Sequence, residues 1–159
     1  MKKIRLYLDT SVISHLYAPD KIDWMEQTQL MWDDLKAGKY DVVVSDVVFR
    51  EINGCKTIKR NILENYLKEI DYTRISINDT VTEIANEIIK KGFLKERNRL
   101  DCLHIGCAIS SRCQYLVSWN INDLVKIETI EGVREITNLL HFPSINIVTP
   151  YVISTKEEK

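Results

Sequence analysis

The sequence is poor in the residues that build nucleotide-binding loops and thiolate metal sites. It has five glycines in 159 residues, and no Gly-x-Gly-x-x-Gly or P-loop pattern occurs, which excludes the common glycine-rich phosphate-binding motifs. The four cysteines form no Cys-x-x-Cys pair, so the usual zinc spacing is missing too. Cys102, Cys107 and Cys113 fall in one apolar stretch where thiols pack as small hydrophobes, and we expect a reduced, cytoplasmic protein.

Long apolar runs and an excess of positive charge are also missing. No segment approaches the roughly 20 apolar residues that span a bilayer, and the run at residues 4–8 is too short for the core of a signal peptide. We therefore expect a soluble protein with no membrane partner. The formal net charge is -1 and the pI is about 6.3, so any surface that binds RNA must be a local one.

Extended segments alternate with helical patterns along the chain. Apolar residues recur at the spacing of one helical face over residues 79–91 and 62–70, which indicates two amphipathic helices. Such alternation predicts an α/β fold, a three-layer α/β/α sandwich with a mostly parallel central sheet of about five strands. The strand segments are residues 4–8, 42–44, 75–77, 115–117 and 145–148.

Glycine and proline mark the expected helix ends. Gly38 follows a helix expected over residues 24–37, Gly92 follows the helix that ends at Lys91, and Pro19 is expected to end a short helix after Asp9. No repeat, linker or shift in composition divides the chain, so we expect a single domain over residues 1–153. The charged segment 154–159 has no apolar anchor and is expected to be a disordered tail.

Four acidic or amide side chains stand where a predicted strand ends or a predicted helix begins. Asp9 and Asn120 follow strand segments, Asp101 opens an apolar helical stretch, and Glu51 lies in the helix after the second strand; Asp123 is near Asn120 in sequence. In open α/β sheets, sites form at the carboxyl ends of the strands. Carboxylate and amide oxygens suit Mg²⁺, which can activate a water for phosphodiester hydrolysis. The pattern therefore predicts a metal-dependent nuclease.

Each of these residues also has a structural interpretation. Asp9 and Asp101 can cap a helix or interact with its dipole. Glu51 can form an ion pair with Lys or Arg on a solvated face. Asn120 and Asp123 can form a capping pair for the next short helix. Because capping and metal binding can coexist, the sequence leaves both interpretations open.

Two further side chains lie beside these acids in sequence. His104 follows Asp101 by about one helical turn, and we interpret it as a hydrogen-bonded core residue rather than as a base. Trp119 precedes Asn120, and we interpret it as a packing residue rather than as a platform for a nucleobase.

Local positive charge precedes Asp101. This segment could hold an RNA backbone, or it could be an ordinary solvated loop after Gly92. Its cations are Lys90, Lys91, Lys95, Arg97 and Arg99, and a weaker patch comprises Lys56, Lys59 and Arg60.

Taken together, these segments resemble a PIN domain, the compact Mg²⁺- or Mn²⁺-dependent ribonuclease fold of VapC-type toxins from toxin–antitoxin pairs. The resemblance spans most of the chain and rests on residues 6–11, Glu51, residues 100–108 and residues 115–120. It implies that Asp9, Glu51 and Asp101 form an acidic cluster, which Ser118 and Asn120 complete. Asn120 stands where the family often has an acid, so either Asn120 or Asp123 supplies the fourth metal ligand.

The leading hypothesis is therefore a Mg²⁺- or Mn²⁺-dependent endoribonuclease. Its substrate-binding groups would be Thr10, Ser11 and Ser118 for a water or phosphate, and Lys95, Arg97 and Arg99 for the RNA backbone. The resemblance also implies that the protein is the toxin of a toxin–antitoxin pair, bound by a small antitoxin across an apolar groove near the first helices. Family habit favours a homodimer, to which Trp24, Met31 or Trp32 would contribute unless they are core residues.

Two other functions are compatible with parts of the pattern. A catalytically inactive PIN module that binds RNA or a protein partner is made possible by Asn120. A phosphatase of the haloacid-dehalogenase type could start from Asp9, but that chemistry wants a second aspartate two residues later, where this chain has Ser11.

Overall fold

The computed structural model describes residues 2–154. The strands are β1 (Arg5–Leu8), β2 (Asp41–Ser45), β3 (Thr73–Ile75), β4 (Tyr115–Val117) and β5 (Asn146–Val148). The first four helices are α1 (Thr10–Ser14), α2 (Ile22–Lys36), α3 (Asp46–Asn53) and α4 (Thr57–Leu67). The others are α5 (Asp79–Lys91), α6 (Arg99–Ser110), α7 (Ile127–Leu140) and α8 (Pro150–Ile153), and a 3₁₀ turn, Glu96–Asn98, precedes α6.

The strands form one parallel sheet in the order β3-β2-β1-β4-β5. β1 is central, with Leu6 opposite Val42 of β2 and Leu8 opposite Val117 of β4. Parallel neighbours need crossover connections, which the intervening helices provide. The predicted α/β fold with a central sheet of about five strands is confirmed.

Two apolar cores lie on opposite faces of the sheet. Alternate residues of a strand point to opposite faces, so Tyr7 joins Val43 in one core while Leu6 and Leu8 lie in the other. Helices α5, α6 and α7 complete the first core, and α1 to α4 complete the second. The sheet is therefore covered on both faces, as a three-layer sandwich requires.

The predicted helix over residues 79–91 is confirmed, whereas the predicted strand before it lies at other residues. The helix spans Asp79–Lys91, and Gly92 stops it in a left-handed conformation at φ 91. The predicted strand at residues 75–77 lies instead at Thr73–Ile75. The Asn78 side chain accepts a bond from the Val81 N–H at 3.0 Å and caps α5, so the chain leaves the sheet to form the cap.

The first helix ends earlier than Pro19, so that prediction is wrong. α1 ends at Ser14. The Ser11 carbonyl is bonded both by the His15 backbone N–H at 3.1 Å and by the His15 Nδ1 at 2.7 Å. Leu16 N–H then bonds Ile13 three residues back, at 3.1 Å. This tighter spacing ends the α-helical pattern after five residues, well before the proline.

The last described residue is packed rather than frayed. Ser154 is buried, and its hydroxyl donates to Asp34 Oδ2 at 2.8 Å. The expected disordered tail therefore does not include Ser154, and its remainder, residues 155–159, lies outside the described residues. Within residues 2–154, no helix has both the length and the apolar character needed to cross a membrane.

Candidate active site

The ends of two neighbouring strands bring Asp9 next to Ser118. Leu8 of β1 is paired with Val117 of β4, so the residues that follow them leave the sheet side by side. The Asp9 backbone N–H donates to the Val117 carbonyl at 3.3 Å and extends the ladder by one bond. The first acid of the predicted site is thus placed by strand pairing over more than 100 residues of sequence.

The Asp9 carboxylate is buried, with an exposed fraction of 3%, and accepts three hydrogen bonds. Oδ1 accepts from the Ser11 hydroxyl at 2.6 Å and from the Val12 N–H at 3.2 Å, and Oδ2 accepts from the Ser118 hydroxyl at 2.5 Å. Asp9 therefore caps α1 as the structural interpretation predicted. Burial raises the pKa of Asp9 above its ordinary value, although His104 and the hydrogen bonds oppose that rise.

A short turn after β4 connects Asp9 to Asp101. The Asn120 backbone N–H donates to the Ser118 hydroxyl at 2.9 Å, and the Asn120 side-chain amide donates to Asp101 Oδ2 at 3.3 Å. The Asn120 Oδ1 accepts from the Asp123 N–H at 3.1 Å. Residues 121–124 form a turn and the next helix begins only at Ile127, so the predicted capping of a short helix by Asn120 and Asp123 is wrong, and the bond holds a turn instead. We name Asp9, Asp101, Ser118 and Asn120 the carboxylate centre.

Asp101 lies in the first turn of α6, where its charge also interacts favourably with the helix dipole. It is partly buried, and burial together with the carboxylates of Asp9 and Asp123 raises the pKa of Asp101 to about 6. His104 and the Asn120 hydrogen bond oppose this rise. The centre therefore holds negative charges that destabilise one another.

Glu51 lies beside the carboxylate centre but is bonded to other groups. Its Oε1 accepts from the Thr10 hydroxyl at 2.7 Å and lies 2.9 Å from His104 Nε2. Burial raises the pKa of Glu51, but the hydrogen bonds from His104 and Thr10 oppose burial, and the pKa is lowered overall. The alternative of an ion pair with Lys or Arg is wrong, because the partner is a histidine.

His104 is buried at 2% exposure and bonded at both ring nitrogens. Its Nδ1 lies 2.7 Å from the Tyr7 hydroxyl, which in turn lies 2.8 Å from the Ser45 hydroxyl. The interpretation of His104 as a hydrogen-bonded core residue is confirmed. Sequence reasoning missed Tyr7, although a tyrosine in a buried strand signals that its hydroxyl needs a partner.

The aromatic residues near the centre also have clear positions. Trp119 is buried, donates from Nε1 to the Thr28 hydroxyl at 2.8 Å and stacks on Trp24 at 4.5 Å between ring centroids. Its predicted packing role is confirmed. Met31 and Trp32 are buried in the core, so neither offers a surface for the expected homodimer.

The predicted RNA-binding cations lie along the segment that leads into α6. Lys95 and Arg97 are exposed. Arg99 is partly buried, and its guanidinium donates to both carboxylate oxygens of Glu96, at 2.5 and 2.8 Å, and to Asn86 at 3.0 Å. The charge of Arg99 is therefore neutralised locally, and any attraction for a phosphate backbone rests more on Lys95 and Arg97.

The chemistry of the donor set bears on the predicted divalent ion. Within the part of the chain that the structure describes, no group of three or more His, Cys, Asp and Glu side chains is arranged to hold a metal ion, and Glu51 is turned to Thr10 and His104. Two carboxylates and an amide do come together, in Asp9, Asp101 and Asn120. Burial raises the pKa of both acids, and the charges of Asp9 and Asp123 raise that of Asp101 further. A cation would therefore stabilise them, and these residues fit Mg²⁺ or Mn²⁺.

Comparison with solved structures identifies the class of fold. One chain from the crystal structure of VapBC2 from Rickettsia felis, bound to a DNA fragment from their promoter, aligns with TM-score 0.56 and 15% identity over 92% of this chain and 98% of that chain. One from a toxin-antitoxin complex of Klebsiella pneumoniae aligns with TM-score 0.57 and 18% identity over the same shares.

These likenesses define the fold. No protein-family model and no curated protein matches the chain. At 15% and 18% identity, the two solved structures establish a shared architecture. The chain has the PIN-like fold of VapC-type toxins, as the resemblance implied.

Proposed function

We propose that this protein is a divalent-metal-dependent endoribonuclease that acts as the toxin of a toxin–antitoxin pair in the cytoplasm. The observation that carries the proposal is the pairing of Asp9 and Asp101 at the carboxyl end of the sheet, where burial and mutual repulsion raise the pKa of Asp101 to about 6. A structure that keeps such a pair loses stability unless a cation offsets the repulsion. Clustered, perturbed acids of this kind are typical of functional sites.

In this proposal Asp9, Asp101 and Asn120 hold Mg²⁺ or Mn²⁺, and Asp123 stands next to them as a further carboxylate. The ion would supply an activated water and neutralise charge on the scissile phosphate. The chain's own groups do the positioning. The Ser11 and Ser118 hydroxyls fix both oxygens of Asp9, and the Asn120 amide holds Asp101 by one oxygen.

The role of a toxin is supported by the fold of the neighbours, which come from toxin–antitoxin complexes. We extend that role to this chain together with a small antitoxin partner. Lys95 and Arg97, exposed on the segment before α6, would contact the RNA backbone by charge. A homodimer, with Trp24 as the remaining aromatic candidate because it is only partly buried, stays a prediction.

A cleavage assay tests the enzymatic part. Purified protein is incubated with total RNA in Mg²⁺, in Mn²⁺ or in chelator, beside Asp9→Asn and Asp101→Asn. Asp33→Asn is the matched control, because Asp33 is an exposed acid that pairs only weakly, at 3.5 Å, with Lys36. We expect metal-dependent cleavage by the wild type and the control, and loss of cleavage in both centre variants. Cleavage that survives chelation, or that Asp101→Asn leaves unchanged, would refute the proposal.

A second candidate is a PIN module that binds RNA or a protein without cutting. It is favoured by Asn120, which stands where an acid would add a ligand, and by the engagement of Glu51 with Thr10 and His104. This candidate predicts RNA retention in a filter-binding assay that is equal with metal and with chelator, and no cleavage products. The toxin role has its own test: induced expression should arrest growth of the host, and Asp101→Asn should not.

A further inference from the structure

A chain of hydrogen bonds runs through the interior beside the carboxylate centre. The Ser45 hydroxyl lies 2.8 Å from the Tyr7 hydroxyl, which lies 2.7 Å from His104 Nδ1, and His104 Nε2 lies 2.9 Å from Glu51 Oε1. We name Ser45, Tyr7, His104 and Glu51 the buried relay. Ser45 and Tyr7 are 0% exposed and His104 is 2% exposed, so only Glu51 reaches the site.

The relay connects the elements that carry the acids. Tyr7 lies on β1 two residues before Asp9, and His104 lies on α6 three residues after Asp101. Ser45 ends β2 and caps α3, the helix that carries Glu51, by accepting from the Val47 N–H at 3.2 Å. The position of Glu51 is thus tied to the two elements that hold the carboxylate centre.

The direction of the bonds follows from what each group can donate. The Glu51 carboxylate has no proton to give and accepts from the Thr10 hydroxyl at the same Oε1, so we assign the donor to His104 Nε2–H. In a neutral imidazole Nδ1 is then the acceptor, and the Tyr7 hydroxyl donates to it. The Tyr7 oxygen accepts in turn from the Ser45 hydroxyl. The two ring nitrogens and the two hydroxyls of the relay are thus all paired, and their bonds run in one direction, toward Glu51 Oε1.

Packing alone does not call for this arrangement. A phenylalanine at position 7 would fill the same core beside Val43 and Leu116 without burying a hydroxyl, and burying polar groups costs free energy unless all are paired. The described hydrogen bonds to the Glu51 side chain all end on Oε1. The relay therefore fixes one oxygen of Glu51 and leaves Oε2 available to a water or a substrate group.

We infer that Tyr7 and His104 are positioning residues that hold Glu51 in a fixed orientation at the edge of the carboxylate centre. This inference rests on the proposed nuclease function for its kinetic consequence, but its geometry stands apart from catalysis. Groups that orient the ligands of a metal site typically change metal affinity or activity by about 10–100-fold when removed, and we expect an effect at the lower end of that range for the groups that orient Glu51 beside the centre. Fixing Glu51 through a buried imidazole would orient it before RNA binds.

The test compares Tyr7→Phe with Tyr40→Phe. Tyr7→Phe removes one relay hydroxyl, and Tyr40→Phe removes a hydroxyl that donates to the Ile153 carbonyl at 3.3 Å, away from the relay. We expect Tyr7→Phe to lower kcat on RNA about tenfold, with KM changed less than about twofold, because Glu51 loses orientation rather than substrate contact. Tyr40→Phe should leave both constants within about twofold of the wild type. A wild-type kcat in Tyr7→Phe would overturn the inference.

Two variants of His104 add a rescue test. His104→Gln keeps an N–H that can reach Glu51, whereas His104→Leu keeps none. We expect the glutamine variant to retain several times the kcat of the leucine variant when both are assayed below their melting temperatures. Equal kcat values for the two folded variants would show that residue 104 contributes through its side-chain volume and not through a hydrogen bond to Glu51.

Nitrogen NMR of the metal-free protein separates this inference from the proposed function. In the wild type, His104 should be protonated at Nε2. Its Nδ1 resonance should shift in Tyr7→Phe but not in Tyr40→Phe. The His104 signals are assigned by their absence from the spectrum of His104→Gln. A doubly protonated His104 ring, or an Nδ1 resonance that is the same in Tyr7→Phe and the wild type, would overturn the inferred relay, whether or not the protein cleaves RNA. Failure of the wild type to cut RNA would instead refute the nuclease, and with it only the kinetic role of the relay.

Discussion

The carboxylate centre should lower the stability of the metal-free protein, and Asp101→Asn should relieve that cost. The pKa of Asp101 rises from 3.8 to about 6 on folding. Since a pKa difference of one corresponds to about 1.4 kcal/mol, the full cost to the free energy of unfolding would be about 3 kcal/mol. Solvent reaches Asp101, so we discount this value and expect a gain of about 1–2 kcal/mol for the asparagine variant at neutral pH.

The raised pKa of Asp101 determines how the stability of the protein changes with pH. A carboxyl whose pKa is raised in the folded state binds its proton there at pH values where the unfolded chain has released it. The free energy of unfolding therefore falls as pH rises from about 4 to about 6, and then stays level. The variant should match the wild type near pH 3, where Asp101 is mostly protonated in both states. It should exceed the wild type near pH 8, where the wild-type carboxylate is charged.

Thermal or urea unfolding in chelator measures the effect. For a chain of this size, about 1–2 kcal/mol corresponds to roughly 2–8 °C in Tm. Asp33→Asn on the surface of α2 is the control and should change stability by less than about 0.5 kcal/mol at either pH. If Mg²⁺ binds, it should raise the Tm of the wild type more than that of Asp101→Asn. An Asp101→Asn variant less stable than the wild type near pH 8 would refute the reasoning.

Three further predictions concern other parts of the structure. Gly106→Ala should destabilise the protein by about 1–3 kcal/mol in urea unfolding, because its Cβ would lie 2.8 Å from the Val81 carbonyl of α5; unchanged stability would mean that α5 and α6 can separate freely. Asn78→Ala should cost about 1 kcal/mol in the same assay through loss of the α5 cap, whereas Asn78→Asp should cost less. Asn120→Asp should lower the Tm in chelator near pH 8 and strengthen Mn²⁺ binding measured by calorimetry, because it adds a third negative charge to the centre. Weaker binding would argue that Asn120 only holds the turn through its bond to the Asp123 N–H.

The sequence predicted the architecture well because helices and strands follow from the spacing of apolar residues over short segments. The helical face over residues 79–91 and the stop at Gly92 match α5 and its left-handed cap. The parallel direction of the strands followed from the alternation of strand and helix, whereas their order in the sheet was not predicted. Boundaries were less predictable where a cap competes with an apolar pattern. Ile77 looks like part of a strand, but Asn78 draws the chain toward the helix cap instead.

The partners of the site residues were harder to predict than their positions. Asp9 and Asp101 follow from the strand and helix ends, but the bond of Glu51 to His104 joins residues 53 positions apart. Spacing along one helix cannot reveal such a contact. The Tyr7 hydroxyl was hidden for a related reason, since in sequence Tyr7 reads as one more apolar residue of a buried strand. Only the packed core shows that Ser45 and His104 meet it.

The pairing of Leu8 with Val117 has a consequence for synthesis of the protein. Asp9 is among the first residues to be translated, but Ser118, at the end of β4, is translated 109 positions later. A nascent chain still short of β4 therefore lacks the neighbour that engages Oδ2 of Asp9. The carboxylate centre therefore cannot assemble until nearly three quarters of the polypeptide has been translated.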